Sequence, residues 1–414
     1  MHPFTGLATR EDGAIKACCR SHPIAWIQDM SLEEAWNSDK MKELRRKVLN
    51  DVRPDECSSC FLLEDQNVES LRQRHIGNTI PESRINLYPN VLENLADDYS
   101  MPYEFPSIEI KLNNLCNLRC RMCNPLDSTS WQDWNEISDF YIKENSFLVP
   151  TLHKLVRKFG QYIGPFDDTD NWWASFEKLL PHLKRIEFAG GEPLMDPQHY
   201  KILDILKPYA HNIELKYATN GTTLGIKGGR NIHDYWPQFK SIAVNVSIDG
   251  IHDVYDYIRS NGSFSKVEDN IKEMKTIPNV SRIVGAFTTQ ALNTLQMAEC
   301  IRYFIEEMDI YFYSHRVSYP QVLSAQTLPV PLKKLAIQRL EDLRDSIDNV
   351  KNIDSKPLLR KITLQQINEN INYLNGHDQS NSWPDFVEFN NRLDRSRNSK
   401  PLIEVIPEFS KYIQ

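Results

Sequence analysis

Along the middle of the chain, apolar and polar positions alternate between two rhythms. Six short β-type runs stand out: SIEIKLN (107–113), RIEFAG (185–190), IELKYATN (213–220), IAVNVSIDG (242–250), SRIVGAFTTQ (281–290) and DIYFYSHRV (309–317). Between them lie stretches with apolar residues at helical spacing, such as QHYKILDILKPYA and FSKVEDNIKEMKT. Strands alternating with helices predict an α/β protein whose parallel sheet is closed, or nearly closed, into a barrel. Chemistry in such barrels gathers in the loops at the C-terminal ends of the strands. The interval 126–180 is too long for a structureless loop and predicts inserted helices around Trp131, Trp134, Trp172 and Trp173. Beyond residue 320, PLKKLAIQRLEDLRDSI and LLRKITLQQINENINYL keep a helical period and carry nothing that suggests catalysis. Ahead of the strands, SLEEAWNSDKMKELRRKVL reads as an amphipathic helical stretch, with Ser31 capping its start and Glu34 three residues on.

Composition narrows the class without naming it. The 414 residues are 41% hydrophobic and 25% charged, an ordinary balance for a globular protein. A net charge of −8 argues against a surface built to grip nucleic-acid phosphates. No apolar run approaches the roughly 20 residues of a membrane-spanning helix. The start, MHPFTGLATREDG, lacks the apolar core of a secretory signal. A cytoplasmic protein with no membrane partner is the expectation. Of the 8 cysteines, seven fall in three groups, which in a reducing cytoplasm points to metal or cluster ligation before disulfides. The remaining one, Cys300, lies in a helix-like stretch and reads as a small buried apolar residue.

Directly after the first strand, NLCNLRCRMCNP sets Cys116, Cys120 and Cys123 at C-x3-C-x2-C spacing. Three thiolates on one short loop can bind three irons of a four-iron cube and leave the fourth without a protein ligand. An open coordination position is what a catalytic centre needs. A zinc loop completed by a distant ligand is the plainer alternative.

This triad, with the motifs that follow it in order, resembles the radical S-adenosylmethionine superfamily over about residues 105–319. Gly190-Gly191-Glu192-Pro193 resembles the family's GGEP segment, whose backbone and carboxylate hold the methionine amino group of the cofactor. A glycine pair lets main chain approach a ligand closely, and a carboxylate suits an ammonium. Thr219-Asn220-Gly221 closes the third strand as TNG does in many members. Ser247-Ile248-Asp249-Gly250, followed by Arg259 and Gly262-Ser263-Phe264, is similar to a stretch of peptide-modifying members. By that resemblance Asn220 and Ser247 contact the cofactor and Arg259 pairs with its carboxylate. Met122 stands where relatives often carry an aromatic residue near the adenine, a soft substitute. The resemblance implies a partial (β/α)6 TIM-like barrel and a [4Fe-4S] cluster that cleaves S-adenosylmethionine reductively. The resulting 5′-deoxyadenosyl radical takes a hydrogen atom from a substrate, and an external donor such as flavodoxin or ferredoxin supplies the electron.

The N-terminal cysteines form G-x4-C at Gly13–Cys18, an adjacent Cys19, and C-x2-C at Cys57 and Cys60. Spacing alone fits zinc or an iron–sulfur cluster equally, or thiols that bind nothing. With the LEEAW-NS stretch between them, residues 3–75 resemble the auxiliary-cluster modules called SPASM and twitch, placed here before the barrel instead of after it. Those modules carry a further cysteine ahead of the glycine, where this chain has only His2. Either Cys19 or His2 completes the site, a ligand was lost at a shortened N-terminus, or one iron stays open. Adjacent cysteines seldom both reach one cluster, so Cys18 is the firmer ligand. The expected organisation is an auxiliary module over 1–80, a connector over 81–104, the barrel over 105–320 with its insertion 126–180, and a helical extension over 321–414.

Three functions follow from these readings. The first is a radical enzyme acting on a peptide or protein side chain, the usual task of relatives with such modules. The second keeps the enzyme but gives it a small-molecule substrate such as an aminosugar. The third is a non-catalytic iron–sulfur or zinc protein.

Overall fold

The computed structural model describes residues 2–65, 70–76, 90–144, 148–156, 158–167, 169–317, 319–353 and 357–413. All the expected strands are present, shortened or shifted by one to three residues at their ends: β4 (Ser107–Lys111), β5 (Arg185–Ala189), β6 (Glu214–Thr219), β7 (Ser241–Ser247), β8 (Val280–Thr289) and β9 (Tyr311–Arg316). They pair in parallel in chain order, so each connection crosses over through helical segments. In β5, β6 and β7 every second residue is fully buried. Phe188 and Tyr217 lie on that face, their rings 4.7 and 5.5 Å from His199 of the helix Pro197–Leu206. Burying each large apolar side chain there stabilises by about 1.5–3 kcal/mol. The opposite face of the sheet is polar. It carries Glu109 and Lys111 of β4, Glu187 of β5 and Lys216 of β6, with Lys216 and Glu187 2.9 Å apart.

The N-terminal segment does not stand apart from this sheet. β1 (Gly6–Thr9) pairs in parallel with β4, Gly6 opposite Ser107, and then meets β2 (Ala14–Lys16) and β3 (Pro23–Trp26) in an antiparallel meander. Among the described residues the result is one nine-stranded, mostly parallel sheet with β3 and β9 at its ends. Strands of three or four residues leave too few positions for a period of two to register in the sequence. The amphipathic stretch that follows forms two helices, Leu32–Trp36 and Asp39–Leu49. Ser31 and Glu34 make the expected reciprocal cap. The break comes at Asn37, whose side chain exchanges two hydrogen bonds with the backbone of Met101, and Ser38, which caps the second helix.

The 126–180 interval holds the helices Ser138–Lys143, Leu148–Leu155 and Asp170–Leu179, with Trp131 and Trp172 fully buried. Cys300 is buried in the core, in the helix Met297–Glu306. Of the expected connector, residues 81–89 lie outside the described residues. The C-terminal region is helical: Val330–Asp345, Pro357–Leu374 and Trp383–Arg397. The second of these helices covers the edge strand β9, where Gln366 accepts hydrogen bonds from both the backbone and the hydroxyl of Ser314. Among the described residues no helix is long and apolar enough to cross a membrane.

Candidate functional site

The loop leaving the C-terminal end of β4 carries Cys116, Cys120 and Cys123, and it is pinned before the first cysteine arrives. Buried Asn114 donates to the carbonyls of Pro125 and Gln161, both at 3.0 Å, and accepts from the Ile163 amide at 2.8 Å. The segment after β5 runs alongside, with Gly191 N–H donating to Asn113 O at 3.2 Å and Glu192 N–H to Leu115 O at 2.7 Å. The approach is so close that a Cβ on Gly191 would lie 2.3 Å from the Leu115 carbonyl oxygen. Gly190 has φ +128°, open only to glycine at low cost. The glycine pair thus seats this segment against the cysteine loop.

Two side chains from other parts of the chain reach the sulfurs, one just past a strand and one at the end of the helix His252–Ile258. Asn220, just past β6, donates to Cys116 Sγ at 3.7 Å, and Arg259 donates to Cys120 Sγ at 3.6 Å. Burial pushes the Cys116 thiol up to about 12 and raises Cys120 and Cys123 as well, so iron binding must release these protons. Among the described residues no three metal-binding side chains converge on a single ion, which a cubane does not require, since each thiolate takes its own iron. Three thiols on one loop, with donors aimed at two of the sulfurs, form a donor set that fits a four-iron cluster with one iron left open.

Glu192 is buried and held by Thr219 Oγ1 at 2.6 Å, the Asn220 amide at 2.6 Å and the Leu194 amide at 3.1 Å. Burial pushes its carboxyl up to about 7, against those hydrogen bonds, which pull it down. Ser247 closes β7 opposite Ala286 of β8, half-buried on the polar side. Arg259 pairs with the fully buried Asp249 at 2.6 Å, and Asp249 also accepts from the Thr288 amide at 2.6 Å. Asp249 therefore orients the guanidinium that touches Cys120, a role that the SIDG motif alone did not disclose.

The C-terminal helix Trp383–Arg397 reaches the same loop, a contact that no motif foretells. Arg121, between two of the cysteines and fully buried, pairs with Asp394, donates to Asn390 Oδ1 at 3.1 Å and to Tyr257 O at 3.0 Å, and stacks 3.5 Å over the Tyr257 ring. Arg397 donates to Arg119 O at 2.8 Å, pairs with Asp133 at 2.6 Å and lies 4.6 Å over Trp131. The indole of Trp131 in turn donates to Cys120 O at 3.1 Å. No pattern in a single sequence links position 121 to position 394.

At the N-terminal site, Cys18, Cys57 and Cys60 line one cavity of about 280 Å³, together with His2. Cys18 sits in a turn closed by Ser21, whose hydroxyl accepts from the Cys18 amide at 3.2 Å. The helix Ser58–Glu64 carries Cys60, with Cys57 just ahead of it. Burial, with Cys18 and Cys60 adding to it, pushes the Cys57 thiol up to about 11. A cavity walled by three thiols and an imidazole fits a second cluster. Cys19 does not line it: that thiol faces Glu109 and Glu187 on the polar side of the sheet, and burial with these carboxylates raises it well above the ordinary range.

Comparison with known proteins bears on both halves of this picture. Residues 110–289 match the family model described as the radical SAM superfamily, and residues 1–61 match the one described as an iron–sulfur cluster-binding domain, SPASM. No curated protein matches the sequence. Among solved structures, native anSMEcpe with bound AdoMet is 18% identical with a TM-score of 0.38, covering 59% of this chain and 62% of its own. SuiB of Streptococcus suis bound to S-adenosylmethionine is 15% identical with a TM-score of 0.35, covering 77% of this chain and 63% of its own. The chain thus spans a little over three fifths of the length of either structure.

Proposed function

Because the chain belongs to the radical S-adenosylmethionine superfamily, with an iron–sulfur cluster-binding domain placed ahead of the barrel, we propose that it abstracts hydrogen from a peptide or protein side chain. When bound at Cys116, Cys120 and Cys123, the [4Fe-4S] cluster and S-adenosylmethionine supply an electron and the 5′-deoxyadenosyl radical it releases. The chain's own residues prepare the place. Gly190 and Gly191 bring main chain against the cysteine loop, and Glu192 ties that segment to Thr219 and Asn220. Arg259, oriented by Asp249, offers a cation for the cofactor's carboxylate, and Ser247 stands at the neighbouring strand end. The observation that carries this reading is the convergence of Asn220, just past β6, and Arg259, at the end of the helix His252–Ile258, on the sulfurs of Cys116 and Cys120.

Two features favour a peptide over an aminosugar or another small molecule. Modules of the SPASM kind accompany peptide-modifying members of the family, and here one extends the barrel sheet itself through β1. The strand leading into the triad loop presents Glu109 and Lys111 on a face of mixed charge shared with Glu187 and Lys216, suited to polar peptide groups. In functional terms the chain divides into an auxiliary module over 1–80, a connector over 81–104, a barrel over 105–320 with its insertion 126–180, and a helical extension over 321–414. A flavodoxin or ferredoxin in a reducing cytoplasm provides the electron. The test is anaerobic reaction of reconstituted protein with S-adenosylmethionine, a reductant and deuterated candidate peptides. Deuterium in 5′-deoxyadenosine, with a mass change in the peptide, is expected. Transfer only from a small molecule would replace the substrate class, and no 5′-deoxyadenosine at all would return the chain to a binding role.

A further inference from the structure

We propose that His2 is the fourth protein ligand of the auxiliary cluster, completing Cys18, Cys57 and Cys60; this rests on the reading that those three cysteines hold it. Glu64 is occupied, accepting from the Ser70 hydroxyl and from Arg72. Glu56, 3.8 Å from Lys47, offers a hard oxygen, which suits an iron–sulfur cluster less than nitrogen or thiolate does, and Asp51 is exposed. Cys19 is turned to the polar face of the sheet. His2 lines the same cavity as the three thiols, and imidazole nitrogen is a common iron ligand.

The second observation is how firmly the segment carrying His2 is held. Pro3, Phe4 and Thr5 are buried, and Gly6 at once begins β1 against β4. The Pro3 carbonyl accepts from Arg45 Nε at 2.8 Å. Arg45 is fully buried, stacked 4.3 Å over Trp36, and donates its remaining bonds to Trp36 O, Tyr99 O and Asn37 Oδ1. These partners are neutral oxygens, and burial pulls the guanidinium down to about 10. Burying a charge among neutral acceptors costs stability, so a compensating use is expected, and here the charge fixes the residue next to His2. A neutral imidazole in place of a thiolate leaves the cluster with one negative charge fewer and raises its potential.

Pulsed electron paramagnetic resonance on the reduced holoprotein, without S-adenosylmethionine, tests this directly. Wild-type protein should show a strong ¹⁴N hyperfine coupling that changes on ¹⁵N-histidine labelling. His2→Ala and His2→Cys should both lose it, and His2→Cys should keep about eight irons per chain while its auxiliary cluster moves to a more negative potential. Wild-type protein with about eight irons per chain and no such coupling overturns the assignment of His2 alone. Iron of about four per chain that disappears entirely with Cys116, Cys120 and Cys123 overturns the auxiliary-cluster reading, and His2 with it.

Discussion

The two sulfur sites are built in opposite ways. Cys116, Cys120 and Cys123 share one loop, so their grouping is written in the sequence, and the fold's task is to hold that loop still. It does so with residues far away in the chain: Gly191, Asn220, Arg259 and, most distantly, Asp394 and Arg397. The N-terminal site draws Cys18 from a hairpin turn and Cys57 and Cys60 from a helix start, and the two intervening helices bring them together. A local motif with remote supports leaves a coordination position open to a cofactor. A site assembled from several segments surrounds its contents, which suits electron transfer or a purely bracing role.

The largest effect is expected at the remote support of the triad. Asp394→Ala leaves the fully buried Arg121 charge without its partner and should cost about 3–5 kcal/mol in denaturant unfolding. Iron at the triad should fall while the N-terminal site keeps its own. Equal loss from both sites would mean that the helix Trp383–Arg397 braces the whole molecule instead of one loop.

Next comes a pH dependence to which the triad side contributes through Glu192. The Glu192 carboxyl, raised from 4.5 to about 7 by burial, contributes stability that is complete below its unfolded value and is lost as pH rises through about 7. Cluster-free protein should therefore lose on the order of 3 kcal/mol between pH 4.5 and 8, less if its surroundings relax. Glu192→Gln should flatten that slope, whereas changes at Cys57 and Cys60 should leave it. A slope unchanged by Glu192→Gln would place the titrating group elsewhere.

Arg259→Lys keeps a cation near Asp249 but loses the fork that touches Cys120. Calorimetric titration should show S-adenosylmethionine bound about 10- to 100-fold more weakly, with iron retained. Unchanged affinity would leave Arg259 as a support of the loop only. The smallest effect is expected for Cys19→Ser, which should keep iron at both sites and change stability by less than about 1 kcal/mol. Loss of the N-terminal iron would show that Cys19 is a ligand after all.

Much of this was legible in the sequence alone. The six parallel strands announced themselves because each has a buried face, and the C-x3-C-x2-C, GGEP, TNG and SIDG segments fall just past β4, β5, β6 and β7, where a parallel sheet gathers its chemistry. The sheet's extension by β1–β3 was hidden, since three- and four-residue strands show no period. Nothing in the sequence singles out Arg121, because Asn390 and Asp394 lie 269 and 273 positions away. Cys18 was already the favoured ligand over Cys19, but the place of the Cys19 thiol was out of reach, because only the packed sheet sets it beside Glu109 and Glu187.

If the triad performs the cofactor chemistry and the N-terminal site does not, formation of 5′-deoxyadenosine must follow the triad alone. Anaerobically reconstituted protein with dithionite and S-adenosylmethionine should form 5′-deoxyadenosine and methionine even without substrate. The Cys57→Ala/Cys60→Ala protein, short of about four irons per chain, should still form it, and the Cys116→Ala/Cys120→Ala/Cys123→Ala protein should form none. No product from wild-type protein with both sites loaded, or product that persists without the triad, would contradict the account.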